Sequence, residues 1–250
     1  FVTLPDKMNT SPLIVIVGPT ASGKTSLSIR IASQFGGEVI SADSRQVYRG
    51  LDLGSGKVTT AEMQGIPHHL LDIADPATTY NASDFVRDAK TAISDIVDRK
   101  HLPIIAGGTF FYIDSLLGRL SLPIVAPNDT LRAELEALPT EELSLRLTKL
   151  DPVRAATIDH SNPRRLVRAI EIATALGHVP PTVTTPSPYH PLTLGIMIDK
   201  ESLHHNIHVR LLERLDVGMV AEVEGLIAAG ITHERLESFG LEYRYVSRYI

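Results

Sequence analysis

The segment from Gly18 to Thr25 constrains the fold of this 250-residue chain most, because it fits the pattern G-x-x-x-x-G-K-[ST] in full. It directly follows Leu13–Val17, a short β-branched apolar run of the kind that forms a buried parallel strand. Between a strand and a helix, such a glycine loop turns consecutive backbone N–H groups toward phosphate oxygens. The charge of Lys24 suits a phosphate, and the hydroxyl of Thr25 suits a Mg²⁺ ion that bridges phosphate oxygens. The sequence therefore predicts a phosphate-binding loop on a parallel sheet.

Strand-like runs alternate with helical patterns as far as about residue 120. In the helix after the loop, Leu27, Ile31 and Phe35 are spaced four apart, which predicts one buried face. Asn81 is the predicted N-cap of a later helix. Further strands are predicted at Glu38–Ser41, Leu70–Ile73 and Leu102–Ala106. Such alternation is typical of βαβ units and therefore of a parallel sheet.

The pattern changes after residue 123, where only helical periodicity broken by prolines continues to about Leu176. A proline-rich connector, Pro180–Pro191, leads to a strand predicted at Leu192–Ile198 and then to two more helical patterns. We therefore predict an α/β fold, with a P-loop NTPase-like parallel-sheet core interrupted by an all-helical insertion domain. The predicted core covers residues 8–122 and 191–250, and the predicted insertion domain covers residues 123–190.

Composition excludes several classes of protein. Hydrophobic residues make up 43% of the chain and charged residues 21%, which is enough for a packed core and argues against disorder. The absence of cysteine excludes disulfides, thiolate metal sites and a cysteine nucleophile. No apolar run approaches the roughly 20 residues of a membrane span, and no signal peptide is recognisable, so we expect a cytoplasmic protein. A net charge of −5 means that any contact with nucleic acid must use a local basic patch.

The strand that should hold magnesium in a nucleotide hydrolase lacks its carboxylate. Such enzymes carry an apolar strand that ends in Asp, whereas Leu102–Ala106 continues into Gly107-Gly108-Thr109. Asp72 is a possible substitute, but it lies inside its predicted strand and not at the end. The sequence therefore weakens the hydrolase interpretation.

Asp43 follows a predicted strand, at the edge of the sheet where ligands of parallel sheets bind. Two interpretations are open. Asp43 is either an N-cap of a short helix, or a carboxylate near the phosphate loop that takes a proton from a nucleophile.

Arg164, Arg165 and Arg168 can share one helical face, and no acidic residue lies between His160 and Ile170. This face is either an ordinary solvated surface or a grip for the phosphate backbone of a nucleic acid.

Together these segments resemble the tRNA dimethylallyltransferases, also called tRNA isopentenyltransferases. The resemblance runs from about Leu13 to about Leu226, and its first signature is the phosphate loop. Four more signatures follow in order: ISADSRQVYRGLDLGSGK at 40–57, PHHLLD at 67–72, AGGTFFY at 106–112 and NPRRLVRAIE at 162–171. Five ordered signatures are far more specific than the loop alone.

The resemblance implies transfer of a dimethylallyl group from dimethylallyl diphosphate to the exocyclic amine of the adenosine 3′-adjacent to the anticodon. The implied partners are the tRNA anticodon stem-loop and dimethylallyl diphosphate, with Mg²⁺ as cofactor and no obligate protein partner. Matching positions imply Asp43, Thr109 and Arg210 as catalytic residues, and Thr25 as a metal ligand. The implied diphosphate-binding residues are Gly18, Thr20, Ala21, Ser22, Gly23, Lys24 and Thr25. The implied tRNA-binding residues are Asp43, Ser44, Arg45, Gln46, Arg132, Arg164, Arg165, Leu166, Val167 and Arg168.

The chain departs from the family pattern at Ser238–Arg244, where many members have Ile-Gly-Tyr. The resemblance also leads us to expect further helices beyond Ile250, so a truncated form is one interpretation, and either Phe1 or Met8 is the native start. Two alternative functions stay open: prenylation of a free adenosine phosphate, and a small-molecule kinase built on the same loop. The helical insertion favours tRNA, because an acceptor as small as a nucleotide needs no such clamp.

Overall fold

The structure is a computed structural model that describes residues 11–250, so the choice between Phe1 and Met8 as start lies outside the described residues. The chain forms two compact units. The core unit contains the chain up to Leu120 and Thr185–Ile250, and the insertion unit is Ser121–Thr184. The insertion unit thus ends before the predicted boundary at 190, because Tyr189 already belongs to a strand of the core.

The core unit contains a five-stranded parallel sheet, which confirms the predicted α/β class. Its strands are β1 (Ser11–Val17), β2 (Gly37–Ser41), β3 (His68–His69), β4 (Leu102–Gly107) and β5 (Tyr189–Gly195). Their order across the sheet is β3-β2-β4-β1-β5. Val17 pairs with Gly107 and Gly195, and Ser41 pairs with Ala106, so the carboxyl ends of four strands meet at one edge.

Two strand predictions were wrong in position. The run Leu70–Ile73 is not a strand, because Leu70 and Asp72 adopt left-handed backbone conformations with φ of 62° and 55°. The strand next to β2 is instead the short β3, which precedes that run. The last strand begins at Tyr189 and not at Leu192, and it includes Pro191. A proline is tolerated there because β5 is an edge strand.

Helices connect the strands of the core unit and make up the regular structure of the insertion unit. The core helices are α1 (Lys24–Phe35), α2 (Thr60–Met63), α3 (Ala82–Asp98), α4 (Phe110–Leu116), α9 (Lys200–Val217), α10 (Met219–Ala228), α11 (His233–Ser238) and α12 (Leu241–Tyr249). The insertion helices are α5 (Asp129–Glu136), α6 (Thr140–Leu150), α7 (Pro152–Ala155) and α8 (Pro163–Leu176). No helix between Ser11 and Ile250 is both long and apolar enough to cross a membrane.

Local sequence signals place two of the core helices. Asn81 caps α3 as predicted, since its side chain accepts hydrogen bonds from the N–H groups of Ser83 and Asp84. On α1 the predicted buried face holds at Leu27 and Ile31, which pack against the cluster beside the sheet, but fails at Phe35, which is 61% exposed. Phe35 is the last residue of α1 before Gly36, so it extends past the part of the helix that packs on the sheet.

Each unit has its own hydrophobic core. Beside the sheet, Ile16, Val39 and Ile104 pack against α1. A second cluster of the core unit joins the segment after β2 to the last helices, through residues such as Tyr48, Leu51, Val223 and Tyr243. The insertion unit buries Leu135, Leu143, Leu147, Ala155, Ile158, Leu166, Val167, Ala169 and Ile170. The segment after β2 therefore depends on α10–α12 for its packing.

Candidate active site

The phosphate loop passes from the carboxyl end of β1 into the amino end of α1. Two of its residues have left-handed conformations, Ala21 with φ 58° and Gly23 with φ 88°, as an anion-binding turn requires. The Lys24 ammonium donates hydrogen bonds to the carbonyl oxygens of Gly18 (3.0 Å) and Pro19 (2.6 Å). Burial lowers the pKa of Lys24, and the nearby Asp43 partly opposes that shift. The loop thus holds a cation at the carboxyl end of β1.

The loop also contains a polar group that lacks a partner within the protein. The Ser22 hydroxyl is buried and forms no hydrogen bond with any part of the chain that the structure describes. A buried hydroxyl without a partner costs stability, roughly 1–3 kcal/mol. A bound phosphate oxygen would satisfy this group, so Ser22 fits a loop shaped for an anion.

A cavity of about 590 Å³ opens at this edge of the sheet. Its walls come from the phosphate loop, the segment after β2, a glycine-containing loop after residue 50, the end of β4, helix α9 and the start of α12. Among the lining residues are Thr20, Ala21, Ser22, Gly23, Lys24, Thr25, Asp43, Arg45, Gln46, Gly56, Arg210 and Arg214. Gly18, which was predicted to bind diphosphate, is not among them, and its carbonyl oxygen accepts a hydrogen bond from Lys24.

Asp43 satisfies the geometry of both interpretations that the sequence left open. Its Oδ1 atom accepts hydrogen bonds from the N–H groups of Arg45 (2.8 Å) and Gln46 (3.3 Å), so it does cap a turn. It also lines the cavity together with Lys24. Within residues 11–250, no hydrogen bond reaches its Oδ2 atom, which leaves that oxygen available to a ligand.

The residues after Asp43 are held by the surrounding core. The Gln46 side chain accepts a hydrogen bond from the Ser41 hydroxyl (3.0 Å) and donates one to the carbonyl oxygen of Gly56 (3.1 Å). Arg45 lines the cavity and is half-buried, and burial lowers its pKa. Ser44 does not line the cavity, and its backbone N–H donates a hydrogen bond to the Thr109 hydroxyl.

Thr109 occupies a different position from the one expected of a catalytic residue. Its hydroxyl accepts a hydrogen bond from the backbone N–H of Ser44 (3.1 Å), and its own N–H donates to the carbonyl oxygen of Ala42 (3.1 Å). Thr109 is not among the residues that line the cavity. In this structure it anchors the segment that carries Asp43, and its catalytic role stays a prediction.

Arg210 lies in the cavity as predicted, and beside it lies a second arginine that was not predicted. Arg214 follows one helical turn later on α9, and burial and the neighbouring Arg210 both lower its pKa. Gly56, with φ 63°, packs against both guanidinium groups at the place where any other residue would carry a Cβ atom. The spacing of four residues between the two arginines was the available signal.

The donor set of the cavity fits a magnesium ion that is held mainly by its ligand. Within the described part of the chain, no three His, Cys, Asp or Glu residues converge on a metal position. Thr25 and Asp43 line the same cavity and offer a hydroxyl and a carboxylate. Mg²⁺ commonly takes only one or two protein oxygens and completes its shell with substrate phosphates and water. Asp72, the other candidate carboxylate, pairs with Lys57 and does not line the cavity.

In the insertion unit, two of the predicted tRNA-contacting arginines bind a buried acid. The Glu171 side chain is 1% exposed, and it accepts hydrogen bonds from Arg132 (2.8 and 2.9 Å) and Arg168 (3.2 Å). Burial alone would raise the pKa of Glu171, but these hydrogen bonds and one from the Asn128 N–H outweigh it and lower the pKa. Arg132 and Arg168 therefore have a structural role that the sequence did not reveal.

The other predicted tRNA-binding residues of α8 divide by burial. Leu166 and Val167 are buried in the core of the insertion unit, so their side chains do not face solvent as a tRNA contact would require. Helical geometry turns them inward because they lie on the same face as Ala169 and Ile170. Arg164 and Arg165 are exposed, and the Arg165 guanidinium lies 3.6 Å from Oδ2 of Asp159. They are the two arginines of this run whose side chains point to solvent.

The parallel sheet and the loop at its carboxyl edge define a P-loop-like α/β fold, and the arginine-lined cavity is suited to a phosphate group. A sequence-family model described as IPP transferase matches residues 46–250. The chain is 44% identical to tRNA dimethylallyltransferase 2 of Shewanella sediminis over 238 residues, which cover 95% of this chain and 79% of that protein. It is 43% identical to tRNA dimethylallyltransferase 2 of Syntrophotalea carbinolica, over 96% of this chain and 80% of that protein.

Solved structures agree with these sequence matches. The full-length tRNA isopentenylpyrophosphate transferase of Bacillus halodurans is 34% identical, with a TM-score of 0.64 over 96% of this chain and 84% of that one. A eukaryotic dimethylallyltransferase acting on tRNA is 27% identical, with a TM-score of 0.75 over 91% of this chain and 60% of that one. The chain belongs to the IPP transferase family of tRNA dimethylallyltransferases, which confirms the resemblance found in the sequence.

Proposed function

We propose that this protein transfers a dimethylallyl group from dimethylallyl diphosphate to the exocyclic N6 amine of the adenosine 3′-adjacent to the anticodon of a tRNA. The observation that carries the proposal is one cavity lined by both the phosphate loop and Asp43. Family membership supports the reaction class. A transfer of this kind needs a site for a diphosphate leaving group and a proton acceptor for the amine, and the cavity offers both.

The alkyl transfer forms an N–C bond and breaks a C–O bond, and the proton transfer breaks an N–H bond and forms an O–H bond. The N6 lone pair attacks the allylic carbon, the bond from that carbon to the diphosphate oxygen breaks, and its electron pair leaves with diphosphate. The Asp43 carboxylate accepts the proton that the amine loses. Loop N–H groups, the Ser22 hydroxyl, Lys24 and Arg210 hold the diphosphate and stabilise the charge that develops on it.

Magnesium belongs to this proposal as the cofactor. Thr25 would hold it, and Asp43 lies in the same cavity. When bound to the diphosphate, the ion would supply positive charge that makes diphosphate a better leaving group. Lys24 and the arginines give the same kind of stabilisation from the protein.

The insertion unit fits the acceptor side of the reaction. Arg164 and Arg165 are its exposed arginines on α8, and such residues suit contacts with tRNA phosphates. Arg45 and Gln46 line the cavity together with Asp43, which supports a contact of these two residues with the target adenine, and a contact of Ser44 with tRNA stays a prediction. The target base must leave its stack to reach a cavity, at a cost of a few kcal/mol.

Parallel incubations of the protein with labelled dimethylallyl diphosphate test the proposal, with bulk tRNA in one reaction and AMP in the other. We expect label in tRNA only. Label in AMP would show that the acceptor is a free nucleotide and not tRNA. A third reaction with labelled ATP, AMP as phosphoryl acceptor and no prenyl donor addresses the kinase alternative, and we expect no transfer of label there. Absence of transfer to either acceptor would contradict the proposal.

A further inference from the structure

Two residues near the end of the chain hold a loop that lies more than 160 positions earlier. The Glu222 carboxylate accepts hydrogen bonds from the three consecutive N–H groups of Asp52–Gly54, at 3.1, 2.6 and 3.1 Å. The next N–H group, of Ser55, donates to the phenol oxygen of Tyr243 (3.1 Å), and that phenol donates to Glu222 (2.8 Å). Four successive backbone donors of the loop therefore end on one carboxylate–phenol pair.

This pair is fixed by its surroundings. Tyr243 is 1% exposed and belongs to the hydrophobic cluster that joins α10 and α12 to the segment after β2. Burial raises the pKa of Tyr243, and the adjacent Glu222 carboxylate adds to that shift, so the phenol remains a hydrogen-bond donor. Gly54 lies directly on the Tyr243 ring, where a Cβ atom would come within 2.6 Å of a ring carbon. The close fit between the loop and the ring therefore requires glycine at this position.

The loop held in this way forms one wall of the cavity. Gly54, Ser55 and Gly56 line it. Gly56 packs against the guanidinium groups of Arg210 and Arg214, and its carbonyl oxygen accepts the hydrogen bond from Gln46. The same loop therefore contacts the arginines on the diphosphate side and the segment that carries Asp43 on the acceptor side.

We propose that Glu222 and Tyr243 are positioning residues for the prenyl transfer, which hold the loop Asp52–Gly56 so that Arg210 and Arg214 face the diphosphate. The inference rests on the proposed function only for the identity of the substrate. Glu222 does not line the cavity, whereas Tyr243 does, and both act on the arginines through the backbone of Asp52–Ser55, which leads directly into Gly56. Arg214 becomes the second arginine of the diphosphate site.

Two conservative substitutions disturb the pair without opening the core. Tyr243→Phe keeps the ring and removes the acceptor of the Ser55 N–H. Glu222→Gln keeps the shape but places an amide NH₂ against backbone N–H groups or the phenol. One net hydrogen bond contributes about 0.5–1.5 kcal/mol, so each variant should weaken diphosphate binding by about 2–12-fold. We expect a rise in KM for dimethylallyl diphosphate that exceeds any fall in kcat, because the arginines act on the bound diphosphate.

Tyr80→Phe is the matched control. The Tyr80 phenol is half-buried and also donates to a carboxylate, that of Asp88 (3.0 Å), but Tyr80 does not line the cavity. This variant loses the same kind of hydrogen bond in another part of the core unit. Melting temperatures of all three variants show whether each one folds.

Three measurements test the proposal: calorimetric binding of inorganic pyrophosphate with Mg²⁺, amide hydrogen exchange at Asp52–Ser55, and steady-state kinetics with tRNA. We expect faster exchange at these amides and weaker pyrophosphate binding in Tyr243→Phe and Glu222→Gln, with both unchanged in Tyr80→Phe. Wild-type pyrophosphate affinity in the two loop variants would overturn the proposal, as would an equal loss in the control. If the unmodified protein fails to prenylate tRNA, the proposed function falls while exchange and pyrophosphate binding still decide whether the loop is held as proposed.

Discussion

The substitution Asp43→Asn separates the two roles that the structure allows for this carboxylate. Both capping hydrogen bonds, from Arg45 N–H (2.8 Å) and Gln46 N–H (3.3 Å), end on Oδ1. An asparagine keeps an oxygen at that position, so it can form both bonds. Its amide nitrogen replaces Oδ2, the oxygen that is available to a ligand. This amide nitrogen cannot accept a proton.

The two roles predict effects of very different size. General base catalysis contributes a factor of roughly 100 to 10,000, so kcat should fall at least about 100-fold, which corresponds to about 2.7 kcal/mol in the barrier. Asn caps about as well as Asp, so the free energy of unfolding should change by less than about 0.5 kcal/mol. KM for dimethylallyl diphosphate should move little, because Lys24 and the loop N–H groups hold that ligand.

Steady-state kinetics and a melting curve on the same preparation provide the test. Asp75→Asn is a suitable control, because the Asp75 carboxylate also accepts a turn hydrogen bond, from the Ala77 N–H (2.8 Å), and does not line the cavity. It loses the same charge and should keep its kcat. A near-normal kcat in Asp43→Asn would remove this residue from the mechanism and leave the cap as its only role.

Three other outcomes follow from the same geometry. Lys24→Ala should abolish calorimetric binding of dimethylallyl diphosphate, because the loop loses its charge; efficient Mg²⁺-dependent ATP hydrolysis by the unmodified protein would contradict this role of the loop. Changing Arg164 and Arg165 together to Ala should reduce the slope of log affinity for tRNA against log salt concentration by roughly 0.7–0.9 for each phosphate that is no longer neutralised. An unchanged slope in filter binding would show that both arginines belong to an ordinary solvated surface. Hydrogen bonds from Arg99 and two histidines hold the pKa of the buried Glu38 at about 2, below its ordinary 4.5. Because the pKa is lowered on folding, the ionised Glu38 stabilises the folded state by about 3 kcal/mol above pH 4.5, and this stabilisation is lost as the pH falls toward 2. In urea unfolding curves, Glu38→Gln should remove this part of the pH dependence of the unfolding free energy.

Local signals in the sequence predicted those parts of the fold that depend on a few neighbouring residues. Asn81 caps its helix through its own side chain, and the glycine-containing loop after β1 needs only its own backbone conformations. The strand predicted at Leu70–Ile73 failed because apolar composition does not show the left-handed conformations of Leu70 and Asp72. Those conformations accompany the pairing of Asp72 with Lys57, which joins separate segments of the chain.

In the candidate site too, residues that belong to local motifs were predicted, and residues that depend on distant partners were missed. Lys24 and Asp43 were predicted from ordered motifs and Arg210 from the family resemblance, and the fold places all three in one cavity. Glu222 and Tyr243 were missed, because their partners lie 168 to 188 positions away along the chain. The structural role of Arg132 was also missed, because the acid that pairs with it lies 39 positions further along the chain. Glu171 follows Arg168 by three residues on α8, but the sequence does not show that this acid is buried and shared by two arginines. Contact of either arginine with tRNA stays a prediction.

The missing carboxylate at the end of β4 has a structural reason that bears on the chemistry. A Cβ atom at Gly107 would collide with the backbone of Ala42, so no aspartate fits at the position where a nucleotide hydrolase would carry one. The close approach of these two strands is also maintained by a hydrogen bond from the Ala42 N–H to the Ala106 carbonyl oxygen (2.9 Å). It leaves Asp43, the next residue after Ala42, as the carboxylate at this edge of the sheet that lines the cavity beside Lys24. A carboxylate in that place is suited to receive a proton from an attacking amine, and the packing of Ala42 beside it leaves no room for a second carboxylate at Gly107.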